Sequence, residues 1–333
     1  MKKPHFICVI GGDGIGPEVT QETVRLLKET TLSFVFIEAE LGYGAYQKYG
    51  TPLPGETIEK AKQSDVVLFG AVTSPPNIEG YRSPIVELRR ELLLYANVRP
   101  FEPLPGVRAV KPLDILLVRE NTEDLYAGVE HEIEDGIMAE RIITRKASER
   151  IIRFAFQIAH TKKRHKVTLI HKANVLRKSD GLFLSIGKQI ANEFPYIEYT
   201  DMLVDSCAMQ LIKAPEQFDV IVTTNMFGDI LSDEIAALNG GLGVAPSANI
   251  GDQHAVFEPV HGSAPKYAGQ NQANPTASIL SACLMLEYLE EFTIAGHIRS
   301  ALKETLARGV KTRDLGGVAS MSEFTDAVIQ ALP

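Results

Sequence analysis

The sequence predicts an α/β protein with a largely parallel or mixed sheet. Three observations carry this. Short apolar runs alternate with amphipathic stretches along most of the chain. Gly- and Pro-containing turns separate them. The 333 residues, 45% hydrophobic and 23% charged, suffice for a large core and two domains or lobes.

Taken in order, residues 5–10, "HFICVI", read as a buried strand. After a Gly turn, "PEVTQETVRLLKET" reads as a helix with Pro17 in its first turn. "SFVFIEAEL" is a strand, "PGETIEKAKQS" a helix and "DVVLFGAV" a further buried strand. "SPIVELRRELLLYANV" reads as one amphipathic helix, and "LDILLVRE" as a strand running into a polar loop. Residues 148–161 form a strongly periodic helix, followed by the strand "KVTLIHK" and the helix "DGLFLSIGKQIANEF". "FDVIVTTN" is a strand feeding a helix that carries Asp229. Residues 240–275 are rich in Gly, Pro and Asn and read as irregular, functional chain. "TASILSACLMLEYLEEF" returns to an apolar helix.

The formal net charge of −8 argues against a nucleic-acid partner, although it does not exclude an anionic substrate met by local arginines. Cys8, Cys207 and Cys283 are widely spaced without a CxxC, as for buried thiols in a reduced, cytoplasmic setting. "FICVI" is too short for a signal segment, and no apolar run approaches the roughly 18 residues of a membrane span.

Candidate chemistry starts with three aspartates, Asp205 in "VDSCAMQ" and Asp229 and Asp233 in "TNMFGDILSDEIAA". Asp229 and Asp233 lie four apart on a predicted helix, so both carboxylates share one face. Such hard oxygen ligands suit Mg²⁺ or Mn²⁺, and the pair is equally compatible with a solvated acidic face. "GGDGIGPE" stands between strand and helix but fails the spacing of a dinucleotide fingerprint, leaving a tight turn as the better reading. Arg89 and Arg99 bracket "RRELLLYANVR", and Arg119 ends the strand "LDILLVR", where ligands bind in open α/β sheets. Arginine's planar fork suits carboxylates. Tyr126 lies in the polar loop "RENTEDLYAGVE", and Lys172 ends a strand beside His171. Taken alone these are a hydrogen-bonded tyrosine and a snorkelling lysine, or an acid and a base.

Together, "GDGIGPEV", "LRRELLLYANVRP", "VRENTEDLYAGVE", "HKANVL", "GDILSD", "GGLGVAPSANIGD" and "FEPVHGSAPKYAG…ANPTA" span nearly the whole chain. In order and spacing the chain resembles the β-decarboxylating dehydrogenases acting on isocitrate, homoisocitrate and 3-isopropylmalate. The resemblance implies an isopropylmalate/isocitrate dehydrogenase-like α/β fold, two lobes sharing a mixed sheet, not Rossmann. It implies a discontinuous coenzyme lobe, about 1–98 and 249–333, and a small lobe, about 99–248, with the dimer contact and metal aspartates. It further implies a homodimer with shared active sites. Asp205, Asp229 and Asp233 then hold Mg²⁺ or Mn²⁺, with one contributed across the dimer. Arg89, Arg99 and Arg119 bind the malate carboxylates, and Asn174 lies near substrate and nicotinamide. Tyr126 and Lys172 are the catalytic pair, Lys172 reaching into the partner's site. Thr73, His261, Gly262, Ser263, Ala264 and Asn274 bind the coenzyme, with Lys266 and Tyr267 near its adenosine ribose. The implied reaction oxidises the C2 hydroxyl, loses CO₂ and protonates C3 from Tyr126.

Only the C3 group separates the three substrates. Ser83 matches a serine that contacts the γ-carboxylate in isocitrate enzymes, and "RENTEDLYAG" is their type of loop. Ile85 and Val86 look more like the apolar wall of isopropylmalate enzymes. The loop and Ser83 put isocitrate first, then homoisocitrate, then isopropylmalate. Lys266 and Tyr267 point toward NADP, whereas the overall length and the C-terminal "RGVKTRDLGG" point toward NAD, which is favoured. A non-catalytic regulatory subunit is disfavoured, because the tyrosine, lysine, aspartates and arginines are all present.

Overall fold

A computed structural model describes residues 3–333 except 76, 79 and 112. The chain divides into two compact units, one of residues 1–93, 103–108 and 240–333 and the other of residues 94–102 and 109–239.

The first stretch runs β1 (His5–Gly12), α1 (Gly16–Lys28), β2 (Phe34–Glu38), α2 (Tyr43–Tyr49), α3 (Gly55–Gln63), β3 (Val66–Ala71) and α4 (Pro84–Glu91). Every residue of β3 is buried, as its unbroken apolar run requires. The expected helix over 83–98 is corrected: α4 stops at Glu91, Leu93 turns with φ +54°, and Ala96–Phe101 is β4. β4 pairs antiparallel with β5 (Ile115–Glu120), Val98 opposite Val118. This strand pairing overrides the helical periodicity of "LLLYANV".

The second unit continues with β6 (Glu130–Ile133), β7 (Gly136–Ala139), α5 (Arg145–Thr161), β8 (Lys166–His171) and α6 (Ser179–Ala191). It ends with β9 (Glu198–Leu203), α7 (Val204–Lys213), β10 (Val220–Thr223) and α8 (Asn225–Leu238). Its strands lie in the order β4-β5-β10-β8-β9, all parallel except the β4–β5 pair. The hairpin β6–β7 stands apart, with every residue exposed.

The chain then re-enters the first unit with β11 (Pro246–Ile250), β12 (Ala255–Pro259), α9 (Thr276–Tyr288), α10 (Phe292–Ala307) and α11 (Met321–Gln330). The expectation of irregular chain over 240–275 is therefore corrected, because β11 and β12 form an antiparallel hairpin within it. These short apolar segments between glycines become strands by pairing with each other and, for β12, with the distant β3. The order here is β2-β1-β3-β12-β11, parallel except for β11. α9 is buried from Thr276 through Leu286, which explains its apolar character on every side. Among the described residues no helix is long and apolar enough to cross a membrane.

Candidate active site

In the second unit a charged cluster forms where β5 and β10 end. β10 lies between β5 and β8 and runs directly into α8, so one face of α8 meets the end of β5. Arg119, only 2% exposed, fills that junction. Its Nε and Nη2 donate to Asn225 Oδ1 at 3.0 and 2.7 Å, and Nη1 pairs with Asp229 Oδ1. A Cβ at Gly228 would meet Arg119 Cγ at 2.6 Å, so the arginine stem needs glycine at that point of α8. The guanidinium also lies 4.9 Å from the centre of the Tyr126 ring, whose hydroxyl donates to Asp229 Oδ2 at 2.6 Å. Arg99, on β4, donates to Asn97 Oδ1 at 2.8 Å and to Ser232 Oγ, and lies 4.0 Å from Asp229 and 3.7 Å from Asp233.

The two α8 carboxylates are thus driven in opposite directions. Burial pushes Asp229 up, but Arg119, the Tyr126 hydroxyl and Arg99 outweigh it and hold the carboxyl below its ordinary value. At Asp233, whose side chain is still largely exposed, partial burial against the helix outweighs the attraction of Arg99, the Asp229 charge adds to it, and the carboxyl sits above its ordinary value. Burial, reinforced by the bond to Asp229, raises the Tyr126 phenol.

A second group forms beyond β8. Lys172 Nζ donates to Asp205 Oδ1 at 2.6 Å, and this bond chiefly holds the Asp205 carboxyl below its usual range. Asp205 lies in the first turn of α7, and Asn174 is exposed. The structure does not bring Asp205 to Asp229 and Asp233: among the described residues no three His, Cys, Asp or Glu side chains converge to hold a metal. Asp229 and Asp233 nevertheless fit a hard divalent cation. They are oxygen donors on one helix face, Asp233 is 61% exposed, and Mg²⁺ needs only one or two carboxylates, taking the rest of its shell from water and substrate.

In the first unit the residues assigned to coenzyme lie in a set of loops. Asp13 accepts three backbone N–H bonds, from Tyr43 and Thr73 at 2.8 Å and Gly44 at 2.9 Å. The Ile15 N–H donates to Ser263 O at 2.8 Å, and the Thr73 and Ser263 hydroxyls bond at 2.7 Å. Gly14 has φ +61°, and a Cβ there would come within 2.0 Å of Ser263 O. Ala264 is left-handed at φ +36°. Gly262 O lies 3.0 Å from His261 Nδ1, and burial pulls the imidazole below its ordinary pKa. His261 Nε2 is buried without a hydrogen-bond partner, as for a group awaiting a ligand. Asn274 donates to Asp314 at 2.9 Å. Lys266 lies over the Tyr267 ring, both exposed. The basic residues downstream are engaged, Arg308 with Glu304, Lys311 with the Gly106 carbonyl and Arg313 with Gln272.

Ser83 is the N-cap residue just before α4, its side chain makes no capping bond, and Ile85 is buried at 8% exposure. Arg89, in the last turn, donates to Glu258 at 2.7 Å and keeps a buried Nε without a hydrogen-bond partner. Asn225 and Ser232 were missed in the sequence, although they stand four before and three after Asp229 on its helical face.

The model of the isocitrate/isopropylmalate dehydrogenase family matches residues 6–328. A homoisocitrate dehydrogenase of Methanocaldococcus jannaschii is 53% identical over 97% of this chain and 96% of its own. An isocitrate/homoisocitrate dehydrogenase of Thermus thermophilus is 51% identical over 98% of each. The crystal structure of isocitrate dehydrogenase from Methylococcus capsulatus superposes with a TM-score of 0.95 at 43% identity, covering 98% of this chain and 99% of that one. A mixed α/β fold, a cluster of arginines and carboxylates at the strand ends, and matches over nearly the full length agree: the chain is an oxidoreductase belonging to the isocitrate/isopropylmalate dehydrogenase family.

Proposed function

We propose that the protein catalyses metal-dependent oxidative decarboxylation of isocitrate to 2-oxoglutarate and CO₂ with reduction of NAD. The observation that carries the reaction type is the cluster of Arg99, Arg119, Tyr126, Asp229 and Asp233 around one face of α8. It presents cationic donors for substrate carboxylates, hard oxygen donors for a cation and a hydroxyl acid in one place. When bound, the divalent cation supplies Lewis acidity and the nicotinamide accepts the hydride. Arg99 and Arg119 hold the carboxylates of the hydroxy acid. Lys172 takes the proton from the C2 hydroxyl. After CO₂ leaves, Tyr126 gives its phenolic proton to C3.

For the C3 group, the support is Ser83. Its hydroxyl makes no capping bond at the N-terminus of α4, where the partial positive charge favours a carboxylate over an isopropyl group. Ile85 is turned into the core and is a poor candidate for an apolar pocket wall. Homoisocitrate is the second reading: its distal carboxylate suits the same terminus, and the relatives at 53% and 51% identity carry that substrate in their names. NAD is favoured over NADP on the C-terminal stretch "RGVKTRDLGG".

The assembly proposed is a homodimer in which Lys172 and Asp205 of each chain complete the partner's site. Two observations support it. Asp205 does not join Asp229 and Asp233 within one chain. Met209, Ile212 and Ile230 on α7 and α8 are about half exposed, as large apolar residues awaiting cover. Full activity in a dilute monomer would end this part of the proposal.

The deciding experiment is the initial rate of NAD reduction with Mn²⁺ and isocitrate, homoisocitrate or 3-isopropylmalate at matched concentration. Isocitrate is expected to lead. A homoisocitrate lead installs the second reading, and a 3-isopropylmalate lead defeats the carboxylate argument at Ser83.

A further inference from the structure

We propose that Arg141 is a positioning residue that ties the Tyr126 loop and the Lys172 turn into one unit through the buried carboxylates of Asp124 and Asp180. This rests on the reading of Tyr126 and Lys172 as acid and base.

Arg141 precedes α5 and is 14% exposed, whereas both aspartate side chains are fully buried. Its Nε lies 2.6 Å from Asp124 Oδ1, an ion pair by charge and distance whose angle is not that of a hydrogen bond. Nη1 pairs with Asp180 Oδ1, and Nη2 donates to Thr224 Oγ1 at 3.0 Å. Two buried carboxylates face one guanidinium, so the arginine alone leaves one negative charge uncompensated. Two backbone N–H groups make up the difference, one at the start of α8 and one just beyond β8. Asp124 Oδ2 accepts from Met226 N–H in the first turn of α8 at 3.0 Å. Asp180, itself in the first turn of α6, accepts from Lys172 N–H at 2.6 Å.

Each aspartate therefore controls a reacting group. Asp180 fixes the backbone from which the Lys172 side chain departs. Asp124 stands two residues before Tyr126, and its backbone carbonyl accepts the Ala127 N–H at 3.2 Å. Asp124 has φ +73° and ψ −150°, a sparsely populated conformation for a residue with a side chain. Such a conformation persists only when surrounding contacts over-determine it, and the Arg141 and Met226 contacts do so. A purely structural ion pair does not need a strained residue beside one reacting group and the backbone N–H of another. In the proposed dimer Tyr126 serves its own site and Lys172 the partner's, so Arg141 links the two sites.

The test uses the full-length protein and Arg141→Ala and Arg141→Lys. Removing the clamp is expected to lower kcat by roughly 10²-fold, as for a small misplacement of reacting groups, with KM for hydroxy acid and coenzyme within about 3-fold. Lysine, able to hold one carboxylate but not both in the arginine's geometry, is expected to recover part of the loss. Amide hydrogen exchange in Arg141→Ala should accelerate together in residues 121–128 and 171–176, but not in β8 residues 166–170. A kcat within about 3-fold of wild type, or acceleration confined to one of the two segments, overturns the proposal. If Arg141→Ala does not fold, Asp180→Asn carries the same two readouts. If wild type turns over none of the three hydroxy acids, the proposed function fails by itself, and the joint exchange behaviour alone decides whether the clamp exists.

Discussion

The two units solve the problem of presenting polar groups in different ways. In the second unit the candidate residues are long charged side chains arriving at α8 from distant strands, Arg99 from β4 and Arg119 from β5. They are buried and paired, and they move the ionisation of their neighbours. In the first unit the candidate loops are held by backbone. Asp13 gathers three N–H groups, and Gly14 lets the chain come against Ser263 O. Charge placement suits a cation and carboxylates, where electrostatics decides; close backbone approach suits a neutral ring and ribose, where shape decides. Substitutions in the second unit should therefore act first on chemistry, and those in the first unit on fit and stability.

The largest expected effect breaks the charged cluster. Asp229→Asn and Asp233→Asn should each weaken Mn²⁺ binding at least about 10–100-fold, as read by titration calorimetry. Only Asp229→Asn should also lower the melting temperature, because it strips the buried Arg119 of its carboxylate. Equal thermal effects from the two variants would erase the distinction between a paired and an exposed carboxylate. Next, Tyr126→Phe should reduce overall turnover by about 10²-fold, with hydride transfer slowed less than the later protonation. Unchanged steady-state turnover would remove Tyr126 from the mechanism.

The contrasting substitution in the first unit is Gly14→Ala. It forces a side chain at φ +61° into the Ser263 carbonyl and should cost on the order of 1–3 kcal/mol in unfolding free energy. Coenzyme KM should rise while Mn²⁺ affinity stays constant, and a change in Mn²⁺ affinity would contradict the independence of this loop set from the charged cluster. The smallest effect concerns thiols. Burial pushes Cys8 and Cys207 up to about 12, so neither should react with a thiol reagent at pH 8 until denaturant is added. Rapid native labelling of either would show that its element opens readily.

Much of the architecture could be read locally. The fully buried β3 and the periodic α5 follow from apolar patterning, and the one-face geometry of Asp229 and Asp233 follows from a spacing of four on α8. The failures have a common cause. "YANV" continued a helical pattern yet became β4, and the segments of the β11–β12 hairpin looked like loop, because strand identity is conferred by pairing partners outside the segment itself. Asn225 and Ser232 were hidden for the same reason: each faces an arginine more than a hundred residues away.

By itself, the sequence determined the alternation of elements, the family and the types of group available for chemistry. Only the tertiary structure decided that Asp229 is held below and Asp233 above an ordinary carboxylate, that Asp205 answers to Lys172, and that Arg141 joins Asp124 to Asp180. Periodicity and propensity act over a few residues and are written in the chain. Burial and Coulomb interaction act through space, and they take their values only when distant segments meet.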